Sequence, residues 1–181
     1  ALAKARPGEL NYAAAGVGGA THLAVELFKA MAGVDIAYIP YKGSGLAIID
    51  LISGQVQLMF ATAGSVTSHV KSARLKALAV TSARPSELVP GLPTVAASGL
   101  PDYESVSIFG AFAPAKTPAA IINRLNHEIL LILNRPDVKE KFLNSGVETV
   151  GSSPEQFAAT IKAEVARLGK VIKDAGIRGA P

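Results

Sequence analysis

Three histidines, several glycine clusters and a loop lysine carry what chemistry the chain offers. His22, His69 and His127 share no close spacing and have no obvious carboxylate partner, so neither a metal site nor a paired base is indicated. There is no Gly-x-Ser-x-Gly elbow, no HExxH and no paired-carboxylate motif. The absence of cysteine removes thiol catalysis, disulfides and Cys–zinc sites. What remains is backbone chemistry. Residues 11–22, NYAAAGVGGATH, read as a strand that runs through a glycine loop into a helix. A helix start of this kind offers unpaired N–H groups to an anion. The same order recurs at Lys42–Gly43–Ser44, after residues 36–41, and at Ala61–Thr62, after residues 56–61. Three such openings at one end of a parallel sheet make a cleft for a negatively charged ligand.

The elements that would hold these openings follow from periodicity. Residues 10–15, 36–41, 56–61 and 75–81 are expected strands, alternating with helices at 20–32, 44–52 and 65–72. Leu23, Leu27, Ala30 and Met31 recur at helical spacing, and Gly33 stands where a C-cap belongs. This alternation argues for βαβ units and a parallel sheet. The run 75–80, apolar except for Lys76, is expected to be covered on both faces. Residues 84–101 contain four prolines and two glycines and read as loop, with one helical turn at 94–98. Beyond the break at 101–106, strands are expected at 106–113 and 147–150. Thr117 and Pro118 suit the N-cap and first turn of a helix to about Asn134, and a second helix spans 136–145. Ser153-Pro-Glu-Gln156 is a capping-box start for a last helix ending near Ala175, before Gly176.

The glycine loops fail both nucleotide patterns. Gly16-x-Gly18 lacks the third small residue, because position 21 is Thr21, and Asp35 begins its strand instead of ending it. Lys42 precedes Gly43-Ser44-Gly45 where a phosphate loop needs the lysine after the glycines. Tight turns are the ordinary use of glycine; three together at one sheet end favour binding. His22, in the first helical turn, can donate to a ligand as a neutral imidazole, although a surface histidine is the commoner outcome. Tyr12, Tyr38 and Tyr41 read as sheet packing, with Tyr41 also placed to meet a ligand. The net charge of +4 comes from scattered residues with no basic stripe among aromatics, which argues against nucleic acid. No run is long and apolar enough to span a membrane, and residues 1–10 do not read as a signal peptide.

Taken in order, these residues resemble the extracytoplasmic solute receptors of the tripartite tricarboxylate transporter family (TctC, or Bug, receptors). The likeness rests on residues 11–18 with Thr21-His22-Leu23, Leu27–Gly33, Ile39-Pro-Tyr-Lys-Gly-Ser44, Gly54-Gln-Val56 and Met59-Phe60. It continues through Leu75–Ser82, Pro93-Thr-Val95, Gly99-Leu-Pro101, Phe109–Pro114 and Thr117-Pro118. The resemblance implies a lobe of the type II periplasmic-binding-protein kind, a mostly parallel sheet flanked by helices, plus a C-terminal helical segment. It implies a periplasmic binding protein that closes on a small organic carboxylate and delivers it to membrane transporter subunits, with no catalysis, metal or cofactor. Carried onto this sequence, the ligand contacts are Gly18, Gly19, Ala20, Thr21, His22, Ala61 and Thr62, with Lys42, Gly43 and Ser44 in the same cleft.

Two departures shape further expectations. The family has an acidic residue and an amide after its Met-Phe strand end, where this chain has Ala61 and Thr62, so an ammonium-bearing ligand is disfavoured. The family's first lobe is expected ahead of Ala1, and residues 1–6 read as the tail of a helix. On that topology residues 1–103 are the second lobe, and 104–181 are a crossover strand and helices that complete the first. Leu125, Ile129 and Ile132 then need a cover, so these helices are expected to repack on the second lobe or to form a homodimer. Two other readings stand beside the receptor: a small α/β enzyme acting on a phosphorylated or acyl substrate with His22 as its base, and a truncated fragment without activity of its own.

Overall fold

The computed structural model describes residues 1–177. Its centre is β1 (Asn11–Ala15), whose Tyr12, Ala13 and Ala14 are fully buried. The strand β2 (Ala37–Tyr41) pairs parallel along one edge, Asn11 opposite Ala37 through Ala15 opposite Tyr41. The short β3 (Leu58–Met59) pairs parallel along the other, giving the order β2-β1-β3. A small-residue centre strand lets helices approach from both sides, and the period of 2 sorts the side chains between them. Tyr12 and Ala14 point to one face and pack with Val25, Ile36 and Phe28. Ala13 points to the other and packs with Ala47, Val56, Ile39 and Leu51.

The helices that cover these faces are α2 (Ala20–Ala32), closed by Gly33 at φ 60°, and α3 (Ser44–Ser53), closed by Gly54 at φ 82°. A one-turn α1 (Leu2–Ala5) precedes β1, and α4 (Ala63–Lys71) follows β3. Parallel strands with helices on both faces make the chain an α/β protein, as the alternation of elements predicts. Tyr103 closes the outer side of α2: it is 1% exposed, its Oη donates to Ala24 O at 2.8 Å, and it packs with Leu27 and Val171.

The remaining helices are α5 (Ala119–Leu133), α6 (Pro136–Asn144) and α7 (Pro154–Asp174). The capping box at Ser153 and Gln156 is formed as expected. The cap of α5 falls one residue later than expected, because Pro118 itself takes the N-cap and its carbonyl accepts from Ile121 and Ile122. α4 begins at Ala63, two residues earlier than expected.

Four expected strands are corrected, for one reason. A strand needs a neighbour's hydrogen bonds as well as its own propensity. Residues 56–61 pair only at Leu58–Met59. Residues 75–81 touch a partner only where Val80 bridges Thr94, and Leu78, expected to be covered on both faces, is 64% exposed. Residues 106–113 run outside any described sheet with Phe109 and Phe112 each 77% exposed, and 147–150 form no described strand, Val150 being 90% exposed.

α7 packs on α2 and Tyr103 through Val171, whereas α5 buries no residue. Leu125, Ile129 and Ile132 stay 50%, 38% and 49% exposed. The chain exposes 11840 Å², whereas a compact monomer of its mass exposes about 8,200 Å².

Candidate functional site

Parallel pairing brings the three strand ends to one edge of the sheet, and a helix starts from each. The N-caps are Gly19, Gly43 and Thr62, and no side chain of any of the three accepts from its helix. The first N–H groups of α2, α3 and α4 therefore have no partner inside their own helix. Their partial positive charge adds to the helix dipoles and favours an anion. The three openings read from sequence are thus present on one edge, with that of α2 in the middle.

The middle loop is shaped by glycine. Gly16 and Gly18 adopt φ of 78° and 74°, which L side chains rarely take. At Gly19 a Cβ would lie 3.0 Å from Ala15 O, so the loop turns back tightly on its own strand. The Gly16 N–H donates to Tyr41 O at 3.0 Å, tying the loop to the end of β2. Ala20 is exposed and Thr21 half-buried at the helix start.

His22 is not the surface residue its place in the first turn suggests. It is 4% exposed, and its Nδ1 accepts from the Gly18 N–H at 2.9 Å. The ring stacks on Tyr38 at 4.2 Å, and Tyr38 in turn on Tyr12 at 5.1 Å. Burial drives its pKa down, Glu26 pulls it partly back up and Lys29 pushes it down further. An imidazole accepting at Nδ1 is neutral, with its proton on Nε2. Through Nδ1 His22 closes the loop on its own helix, and Nε2 carries the remaining proton.

Tyr12 sits beneath this stack. Its Oη donates to Glu26 Oε1 at 2.6 Å, Lys29 pairs with the same oxygen at 2.7 Å, and burial raises the phenol pKa. The three sheet tyrosines are packing residues, as expected, with Tyr41 Oη donating to Asp50 Oδ2 at 2.7 Å.

Lys42 is exposed and Gly43 and Ser44 are half-buried; among the described residues Lys42 joins no ion pair. On the other side of β1, Ala61 is half-buried and Thr62 exposed, with Thr62 Oγ1 3.2 Å from Ser65 Oγ. Here the structure adds residues the sequence did not single out. Ser145 and Gly146, at the end of α6, come against the first turn of α4, where a Cβ on Gly64 would meet Ser145 O at 2.6 Å. Only a glycine-to-glycine approach permits that contact, and glycine at position 64 is the one signal the sequence held. His69 and His127 lie away from this edge, on α4 and α5. Among the described residues no group of His, Asp and Glu is placed to hold a metal, and no helix is long and apolar enough to cross a membrane.

A family model described as "Tripartite tricarboxylate transporter family receptor" (TctC) matches residues 1–177. The chain belongs to that family. A relative from Pseudomonas, a UPF0065 protein of the tcbD-tcbE intergenic region, is 39% identical over 94% of this chain and 51% of its own length. This TctC chain also superposes on an R. palustris protein solved with adipate, at TM-score 0.84 and 38% identity, covering 97% of this chain and 59% of that one. MatC from Rhodopseudomonas palustris, solved with bound malate, gives 0.72 and 27%, covering 94% and 59%. The chain thus spans about half the length of the curated relative and under two thirds of these two structures. Fold and family agree: both structures match nearly the whole of this chain, its parallel sheet and flanking helices included.

Proposed function

We propose that the edge formed by Gly18, Gly19, Ala20, Thr21 and His22, with Lys42, Gly43, Ser44, Ala61 and Thr62, is one wall of a carboxylate site in a periplasmic solute-binding receptor. The observation that carries this reading is the set of three helix starts without side-chain caps, all at one end of a parallel sheet. In it the helix N–H groups replace the water around the ligand's carboxylate and Lys42 adds a screened positive charge, while His22 holds the loop. The adipate and malate of the two related structures indicate the ligand class, a small dicarboxylate. In a complete receptor the captured acid passes to the membrane subunits of the transporter. Residues 1–103 are one lobe in this proposal, and 104–181 belong to the other.

Binding without turnover distinguishes this from the enzyme reading, whose sole candidate base, His22, has its Nδ1 engaged by Gly18. Titration calorimetry with adipate and with malate tests the proposal. Uptake of either acid without chemical change supports it; no heat with any mono- or dicarboxylate ends it. Each helix end contributes about 0.3–2 kcal/mol, so a single wall is expected to bind with Kd on the order of 1 mM.

The face of α5 supports a second proposal, self-association. Ile121, Leu125, Ile129 and Ile132 line an uncovered apolar stripe, and the excess exposed surface is of the size that stable interfaces bury. Light scattering after size exclusion tests it: a dimer is expected, and a monodisperse monomer that binds no apolar dye contradicts it.

A further inference from the structure

The segment that follows Tyr103 leaves the sheet as a bare strand. Residues 106–113, VSIFGAFA, run without a turn or bend, and each of them is exposed. Among the described residues none of their N–H or C=O groups has a backbone partner. The last such bond before them runs from the Ser105 N–H to Thr81 O at 2.8 Å. Valine, isoleucine and two phenylalanines give the segment strand character. It holds no proline and no charged residue, the features that ordinarily keep an open edge from pairing.

Phe157, in the first turn of α7, holds this strand to the chain. Its ring lies so close over Gly110 that no side chain fits between them, and stands 5.3 Å from the ring of Phe112. The same end of α7 meets α5: Asn126 Nδ2 donates to Ser152 O at 2.8 Å, and Leu130 lies against Gly151. The open strand and the helix with the uncovered stripe therefore both lie against the start of α7. The chain exposes about 3,600 Å² more than a compact monomer. That exceeds one partner's share of even a large obligate interface, about 2,000–5,000 Å² in total.

We propose that residues 106–113 pair antiparallel with the same residues of a second copy, about a two-fold axis. This rests on the self-association proposed for α5 and names the contact that fixes its geometry. A two-fold pairing uses one surface twice, so it needs a strand complementary to itself. An uncharged strand meets that condition. Reversed against its own copy, it sets small and apolar residues opposite one another and brings no like charges together. Backbone groups now without a partner bond across the axis, alternate residues exchanging both of their bonds. Two strands alone are marginal in water, so the phenylalanines and the α5 stripe supply most of the buried area.

Cysteine scanning of the 181-residue chain tests it, because the chain contains no cysteine of its own. Ser107→Cys, Ile108→Cys, Phe109→Cys, Ala111→Cys, Phe112→Cys and Ala113→Cys, with Leu125→Cys on α5, are oxidised where light scattering gives a dimer. About a two-fold axis a residue and its copy move apart by about 7 Å for each step from the centre. A disulfide spans about 4.4–6.8 Å between Cα atoms. Cross-linking is therefore expected to peak at one strand position and to fall about tenfold two residues away. Amide exchange on the unmodified chain needs no variant to fold: alternate amides within 106–113 are expected to slow about tenfold as the chain is concentrated into the dimer. Cross-linking at Leu125→Cys with none in the strand, or fast exchange at all of the strand amides in the dimer, overturns the ladder and leaves α5 as the interface. Even cross-linking along the strand overturns the two-fold pairing, and a monomer at every concentration overturns both proposals.

Discussion

α2 and α5 are similar helices with opposite fates. Each is amphipathic and of similar length, and each follows a proline- or glycine-bearing turn. α2 buries His22, Leu23, Ala24, Val25 and Leu27 against β1 and Tyr103, whereas α5 buries no residue fully. The difference lies in what stands opposite. β1 presents Tyr12 and Ala14 to α2, while α5 meets parts of α6 and α7 and the residues Gly151 and Ser152. An apolar stripe specifies that a helix needs a cover; whether the cover lies in the same chain depends on the neighbouring surface.

The contrast is sharpest in core truncations. Tyr12→Ala removes a fully buried ring from the middle of the sheet and is expected to cost about 3–5 kcal/mol in urea unfolding. Leu125→Ala, on the exposed stripe of α5, is expected to stay within about 0.5 kcal/mol at concentrations where the chain is monomeric. Equal losses would mean that α5 is covered after all. A charge on that stripe, Leu125→Glu, is expected to shift any dimer towards monomer in light scattering, with no change in the unfolding of the sheet.

Glycine conformation gives the next effect. Gly18→Ala places a side chain at φ 74° and is expected to cost about 1–2 kcal/mol, with weaker carboxylate binding. Gly45→Ala, in open space inside α3, is expected to be neutral or stabilising.

The smallest effect is a pH dependence. Burial lowers the His22 pKa in the folded chain below the 6.5 of the free side chain. Below that value the unfolded chain binds more protons than the folded one, so stability rises with pH. His22's contribution is therefore complete above pH 6.5 and lost as pH falls through the lowered pKa, when protonation breaks the bond from Gly18 to Nδ1. Urea unfolding from pH 7.5 to 5 should show this slope, and His22→Phe should remove part of it. A slope unchanged in the variant would place the titration elsewhere.

What was legible in the sequence was local. Gly33 and the Ser153–Gln156 box stop and start helices through their own backbone or side chains, and each reads correctly without a partner. The three strand-to-helix openings are likewise visible as apolar runs meeting glycine or small residues. Residues 75–81 and 106–113 misled because apolar content is a property of the segment, whereas a ladder belongs to two segments. His22 misled for a related reason: first-turn position implies solvent, but Tyr38 from another strand covers the ring. The approach of Ser145 to Gly64 joins residues distant in the chain, and the glycine at position 64 is its one local trace.

Backbone amide shifts on adding adipate to the labelled chain are the sharpest test of an anion site at this sheet edge. The amides of Ala20, Thr21, Ser44, Gly45 and Ala63, at the three helix starts of the sheet edge, are expected to move together and saturate at one Kd. Shifts confined to other surfaces, or none up to tens of millimolar adipate, would contradict it.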